Sequence, residues 1–218
     1  MEKNTKSVMV NNSKIIVALD GISNKKALRT ASILKGHVWG FKVSDLLFED
    51  AMIIGKLKKF GNVFADVKLH DIPNTVSNSV KRLSALGADF ITVHSDGGIE
   101  MMKAAKQSAG RSRILAVTIL TSLEANPRKL LKLTRDTLRA NIDGIVCSGH
   151  DLPYINRIRG SKSLLRIVPG IRPSWYREKD DQKRTITPQE AVKLGADYLV
   201  IGRPILNTED PIKSFSDM

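Results

Sequence analysis

The chain has a single cysteine, Cys147, among its 218 residues. One thiol forms neither an internal disulfide nor a multi-cysteine zinc site, so nothing points to an oxidising compartment. The sequence has no apolar run approaching the roughly 18 residues of a membrane span. Its first residues, "MEKNTKSVMVNNSK", lack the apolar core of a secretory signal. A cytoplasmic protein with no membrane partner is expected. Aromatic residues are scarce, with three Tyr and two Trp, and no recognised nucleic-acid motif accompanies the basic residues, so nucleic acid is not expected as a partner. No Gly-rich dinucleotide fingerprint follows the first strand, which reads "ALDGISN". His37, His70 and His150 fall at no metal-ligand spacing, and no metal site is expected.

What is present has the balance of an ordinary globular protein, 42% hydrophobic and 26% charged. Lys and Arg outnumber Asp and Glu by 35 to 22, a formal charge of +13 that favours an anionic ligand. Short β-rich runs alternate with helix-length amphipathic segments. The strands are "KIIVALD" (14–20), "VWGFKV" (38–43), "NVFADVKL" (62–69), "DFITVHS" (89–95), "RILAVTIL" (113–120), "IDGIVCS" (142–148), "LLRIVPG" (164–170) and "DYLVIGR" (197–203). Between them helices are expected over 24–35, 45–60, 74–86, 99–107, 127–139, 152–159 and 188–193. Two helices end in "LGAD" (86–89 and 194–197) and a third, more loosely, in "NIDG" (141–144), where a left-handed cap is followed by an aspartate opening the next strand. Eight βα units in strict alternation imply parallel strands covered by helices. A single (β/α)8 TIM barrel over residues 1–218 is the expected fold, with an open doubly wound sheet as the alternative. The longest irregular connection, 171–187, has the length of a lid or ligand clamp.

Chemistry in such a barrel collects at the C-terminal ends of the strands. Polar residues recur there: Asp20, Lys42, Asp66 and Lys68, His94, Thr118 and Thr121, Arg172 and Arg203. The stretch "FADVKLHDIPNTV" (64–76) is the densest. Asp66 and Lys68, two apart, project to the same side of a regular strand. An isolated Asp-x-Lys is commonly only an ion pair. With Lys42 and Asp71 nearby, the four are expected to form an alternating array in which each charge keeps the next ionised and oriented. Pro73 suits a first helical turn, and Asn74 or Thr75 can serve its open amides, but neither role explains Asp71. "PGIRP" (169–173) and "VIGRPI" (200–205) bring glycine close to arginine, and Gly202 opens a helix, a pattern suited to phosphate. Two surface arginines beside turns would produce the same spacing.

"DVKLHDIPNTV" resembles the active-site signature of the orotidine 5′-phosphate decarboxylase family, Asp-x-Lys-x-x-Asp-Ile-Pro-Asn-Thr. "VALD", "FKV", "VTILTS", "PGIRP", "DQKR" and "DYLVIGRPI" follow in the family's order, covering nearly the whole chain. The resemblance implies a barrel homodimer that converts orotidine monophosphate to uridine monophosphate in pyrimidine biosynthesis, with no metal or organic cofactor. It implies that Lys68 donates a proton to C6 and that Asp66 sits beside the departing carboxylate. Lys42 and Asp71 complete the array, Asp71 and Thr75 entering from the neighbouring subunit. Asp20 and Lys42 contact the ribose, Thr121 the pyrimidine side, and Arg172, Gln182, Gly202 and Arg203 the phosphate. Glu124 stands where some members have a base-contacting serine, so no base contact is assigned there. Ser174 stands where some have a phosphate-loop glutamine, and Gln182 fits the other form of that loop. Sugar-phosphate relatives share Asp-x-Lys-x-x-Asp but use magnesium; "IPNTV" and "PGIRP" favour the nucleotide enzyme. A basic nucleotide- or RNA-binding protein without catalysis is the rival from another class.

Overall fold

The computed structural model describes residues 11, 14–124, 126–177 and 184–216. Eight strands run in chain order: β1 (Ile15–Ala18), β2 (Gly40–Val43), β3 (Asn62–Leu69), β4 (Phe90–His94), β5 (Arg113–Val117), β6 (Gly144–Val146), β7 (Leu165–Val168) and β8 (Tyr198–Ile201). Every neighbouring pair is parallel and β8 returns to β1, closing the barrel expected from the sequence. The open-sheet alternative is therefore excluded.

Side-chain parity divides the core into two shells. Ile16, Ala18, Phe64, Leu115, Val117, Ile167 and Val200 fill the inside of the barrel. Ile15, Val17, Phe41, Val43, Val63 and Ala65 face outward into the helices. Many of these are wholly inaccessible, and each fully buried Val, Leu, Ile or Phe contributes about 1.5–3 kcal/mol. Trp39, Phe90 and Tyr198 plug the lower end, with Trp39 and Phe90 stacked at 4.4 Å between centroids. The chemistry is left to the upper end.

The helices are α1 (Asn24–Ile33), α2 (Leu46–Glu49), α3 (Ile53–Leu57), α4 (Pro73–Ala85), α5 (Ile99–Gln107), α6 (Pro127–Arg139), α7 (Leu152–Ile155), α8 (Pro188–Lys193), α9 (Arg203–Leu206) and α10 (Lys213–Ser216). Among the described residues none is long and apolar enough to cross a membrane. The single helix expected over 45–60 is two, because the Asp50 side chain accepts the Met52 N–H at 2.8 Å while its backbone is extended. A short polar side chain has outcompeted the helical ladder there. The helix expected over 152–159 stops at Ile155, and β5 stops at Val117, three residues early. α4 starts at Pro73 with Ile72 as N-cap and no side-chain cap bond, so Asn74 and Thr75 do not serve its open amides.

The helix-to-strand corners have a shared construction. Gly87 and Gly195 take positive φ, as the sequence implies, but at the third corner the left-handed residue is Asn141, while Gly144 lies within β6. The aspartate that follows each corner accepts the amide of the second residue of the preceding strand: Asp89 from Val63, Asp143 from Ile114 and Asp197 from Arg166, at 2.7, 2.8 and 2.8 Å. Lys58, Lys106 and Arg166 pair with these three carboxylates in turn.

Candidate active site

The upper ends of seven strands surround a cavity of about 480 Å³. Asp20, Lys42, Asp66, Lys68, Thr121, Arg172, Gly202 and Arg203 all line it. Eight residues singled out from sequence thus share one site. Ala18, Phe64, Val117, Val146 and Val200, the top layer of the barrel interior, form its apolar floor. Polar groups above a dry apolar base interact more strongly than they would in water.

Along one wall runs the charge array. The Lys42 ammonium donates to Asp20 Oδ2 at 2.5 Å and lies 3.3 Å from Asp66 Oδ2. Lys68 Nζ donates to the same Asp66 oxygen at 2.8 Å. The Lys42 and Asp66 side chains are each 9% exposed, whereas that of Lys68 is 34% exposed. Lys68 is therefore the lysine of the array that is open to the cavity, and Asp20, with 41% of its side chain exposed, is open at the other end. Burial works against the charge of Lys42, but Asp66 and Asp20 outweigh it and hold the lysine above its ordinary range. Burial likewise works against ionised Asp66, and Lys42, Lys68 and Thr92 together hold it below the usual carboxylate range. Lys42 and Asp66 are thus each held in the charged form by their neighbours.

Simple strand alternation does not bring Lys68 to Asp66. Between Ala65 and Leu69 the β3–β4 register shifts, so that four steps on β3 match two on β4. Lys68 has φ +49, one of two described non-glycine residues in the left-handed region. Bulges and disfavoured backbone of this kind re-aim a side chain at functional sites. The Lys68 N–H donates to Thr92 Oγ1 at 2.9 Å, and that hydroxyl donates to Asp66 Oδ1 at 3.0 Å. Thr92 escaped the sequence reading; its only signal was a hydroxyl at an inward position of the otherwise apolar "FITV".

Across the cavity lie the cationic groups. Arg172 donates to the Ile171 carbonyl at 2.8 Å, and its guanidinium sits 5.5 Å from the Tyr176 ring centroid. Gly202 packs so closely on β1 that a Cβ there would come 3.3 Å from Ala18 Cβ. The helix it opens, α9, is one turn long with Pro204 second, so it offers fewer amide donors than the sequence implied. The long connection has a tied base: Ile171 pairs with Ile186 as an isolated bridge, His150 Nε2 contacts the Thr185 carbonyl at 2.9 Å, and Arg184 pairs with buried Asp151. Gln182 lies outside the described residues.

Asp71 and Thr75 are not in this cavity. Both are exposed, within a continuous exposed run from His70 to Thr75, and the Asp71 carboxylate accepts the next amide, that of Ile72, at 2.6 Å. His94 is half-buried beside His70, with ring centroids 5.5 Å apart, and outside the cavity lining. Burial, with His70 and Lys68, lowers its basicity. Thr118 is buried and bonds the Val146 carbonyl at 3.2 Å. Cys147 contributes to the lining as a buried apolar group whose thiol is pushed far above its ordinary range by burial. Among the described residues, no three His, Cys, Asp or Glu side chains gather in a metal-binding group.

The sequence profile of the orotidine 5′-phosphate decarboxylase / HUMPS family matches residues 13–218. The chain is 43% identical to the orotidine 5′-phosphate decarboxylase of Lawsonia intracellularis, covering 94% of this chain and 97% of that protein. It is 38% identical to that of Dichelobacter nodosus, covering 95% and 97%. Its backbone is similar to the crystal structure of orotidine 5′-phosphate decarboxylase from Lactobacillus acidophilus, with a TM-score of 0.78 and 32% identity over 93% of this chain and 95% of that one. The Pyrococcus horikoshii decarboxylase gives a TM-score of 0.75 at 26% identity over the same shares. The match reaches from before β1 to the last residue, and the chain belongs to the orotidine 5′-phosphate decarboxylase / HUMPS family.

Proposed function

We propose that this chain is an orotidine 5′-phosphate decarboxylase, a carboxy-lyase that releases CO2 from orotidine monophosphate to give uridine monophosphate in pyrimidine biosynthesis. The observation that carries the proposal is the array Asp20–Lys42–Asp66–Lys68, which ends in an ammonium open to an apolar-floored cavity with arginines on its far side. The names of the curated relatives support the same reaction. Both array carboxylates are already paired with lysines, which disfavours the magnesium chemistry of the sugar-phosphate branch. In keeping with the family resemblance, the proposed reaction needs neither a metal nor an organic cofactor.

In the reaction the C6–carboxylate bond breaks and its electron pair stays on C6. Lys68 opposes that developing charge and passes its proton to C6, leaving a neutral amine that regains a proton from solvent. Asp66 lies beside the departing carboxylate and, with Lys42, orients Lys68. Asp20 and Lys42 hold the ribose and Thr121 the pyrimidine side. Arg172, Gln182, Gly202 and Arg203 hold the phosphate, and binding energy gained there, away from C6, is available to the chemical step.

The active form is a cytoplasmic homodimer in which Asp71 and Thr75 enter the neighbouring subunit's site. Exposure of the 70–75 run, with Ile72 at 66%, supports this, since an apolar residue so exposed suits a protein interface. Neither Asp71 nor Thr75 serves its own subunit's cavity.

Ultraviolet absorbance of orotidine monophosphate incubated with purified protein tests the reaction, with and without EDTA and with Lys68→Ala as control. Turnover that survives chelation and vanishes in the variant is expected. A sugar phosphate turned over in preference, or loss of activity with EDTA, overturns the assignment. Mixing inactive Lys68→Ala and Asp71→Ala chains tests the dimer: activity returns if each heterodimer has one intact site. No recovery after verified subunit exchange returns Asp71 to its own subunit.

A further inference from the structure

We infer that Thr92 is a positioning residue for this reaction, a single buried hydroxyl that fixes both the carboxylate of Asp66 and the backbone of Lys68. The inference rests on the proposed role of Lys68 as proton donor. Thr92 is wholly inaccessible, in β4. A hydroxyl has one proton to give and lone pairs to receive. Here the proton goes to Asp66 Oδ1 at 3.0 Å and a lone pair takes the Lys68 N–H at 2.9 Å.

Other buried threonines show what is unusual about this one. Thr134 and Thr137 are also wholly inaccessible, and each bonds a carbonyl four residues back in its own helix. That is the ordinary way to satisfy a core hydroxyl. The bonds of Thr92 instead reach 24 and 26 positions back along the chain, to two members of the array.

Each bond has a geometric consequence. Asp66 Oδ2 is shared by Lys42 and Lys68, at 3.3 and 2.8 Å. With Oδ1 held by Thr92, the carboxylate plane cannot turn, and the shared oxygen keeps its aim between the two ammonium groups. Lys68 sits at φ +49, a conformation disfavoured for a residue with a Cβ, within the register shift of β3. Regular ladder pairing is interrupted there, and the Thr92 side chain takes the Lys68 amide. Without that acceptor the lysine backbone is free to relax toward ordinary strand geometry, swinging the ammonium away from C6.

Steady-state kinetics and pH profiles of wild type, Lys68→Ala, Thr92→Val and Thr92→Ser test this. Wild-type turnover with an inactive Lys68→Ala secures the reaction and its donor independently of Thr92; without wild-type turnover, the proposed function itself falls, and this inference with it. Given turnover, Thr92→Val lowers kcat by about 10- to 100-fold, the scale on which small misplacements act. KM stays within about twofold, because uniform substrate binding is untouched. Thr92→Ser, which keeps the hydroxyl, regains most of the loss. The acid limb of the Thr92→Val profile moves to higher pH, since Asp66 has lost a donor that favours its ionised form. Wild-type kcat in Thr92→Val, or equal losses in the valine and serine variants, overturns the inference. If circular dichroism shows that Thr92→Val does not fold, Thr92→Cys takes its place, with a similar volume, a weaker bond and the same criteria.

Discussion

Asp66→Asn isolates the charge at the centre of the array while nearly preserving shape. The carboxylate lies 2.8 Å from Lys68 Nζ and 3.3 Å from Lys42 Nζ. At an effective dielectric near 20 these separations correspond to about 6 and about 5 kcal/mol of gross attraction. Much of that is offset by the cost of drying the charges, and removing one member of a buried pair has a net cost of about 3–5 kcal/mol. Lys42 keeps Asp20, whereas Lys68 loses its only carboxylate partner among the described residues. The two ammonium groups are left to repel one another. For a chain of this size each kcal/mol lowers Tm by roughly 2–4 °C, so Asp66→Asn melts about 6–20 °C below wild type at pH 7. The pH dependence has a definite sign. A carboxylate held below its unfolded pKa contributes stability that is complete above that unfolded value, near 4, and is lost as pH falls through the folded value. The Tm gap between wild type and Asp66→Asn therefore closes on acidification below about pH 4. Thermal melts followed by circular dichroism from pH 3 to pH 8 measure it. An Asp66→Asn protein at least as stable as wild type at pH 7, or a gap that widens in acid, refutes the view that this carboxylate holds the array together.

The remaining expectations concern the scaffold around the site. A Cβ on Gly40 would lie 2.1 Å from the Asn62 carbonyl oxygen, across the β2–β3 ladder, so Gly40→Ala yields no folded barrel in a solubility and melting assay. Gly55, in the middle of α3, has only the Leu86 carbonyl near, at 3.8 Å, and Gly55→Ala raises Tm by roughly 1–4 °C as the helix gains about 0.5–1 kcal/mol. Asp151→Asn leaves Arg184 without its buried counter-charge and loosens the base of the 171–187 connection; KM for orotidine monophosphate rises about tenfold or more in steady-state assays, with a smaller change in kcat. Cys147, buried with its thiol pushed up, does not react with a thiol reagent in the native protein and gives one equivalent after denaturation.

The barrel was legible because its signal is repeated eight times and parity is strict within each strand: Ile16 faces in and Ile15 out, as the pattern implies. Errors fell where local chemistry overrode periodicity. "LLFEDAMIIGKL" keeps a helical rhythm across Asp50, and only the side-chain bond to Met52 shows why the helix breaks. Asp66 and Lys68 were correctly paired on a premise that does not hold, since Lys68 leaves regular strand geometry. Nothing in "DVK" encodes that bulge, at which the Lys68 amide bonds a threonine of the next strand. Asp20, Lys42, Arg172 and Arg203 were readable, being charged residues at the ends of apolar runs. Asp71 was readable as unusual, but the structure leaves it exposed and outside the cavity lining.

The corner aspartates at the lower rim have a role in aiming the chemistry above them. Asp89 grips the amide of Val63, three residues before Asp66 and about 10 Å lower along the strand. A slip of one residue at that grip would turn Ala65 or Val67 toward the cavity and send Asp66 out among the helices. The carboxylate at the centre of the array is thus sighted from the opposite end of the barrel, by a residue outside the cavity.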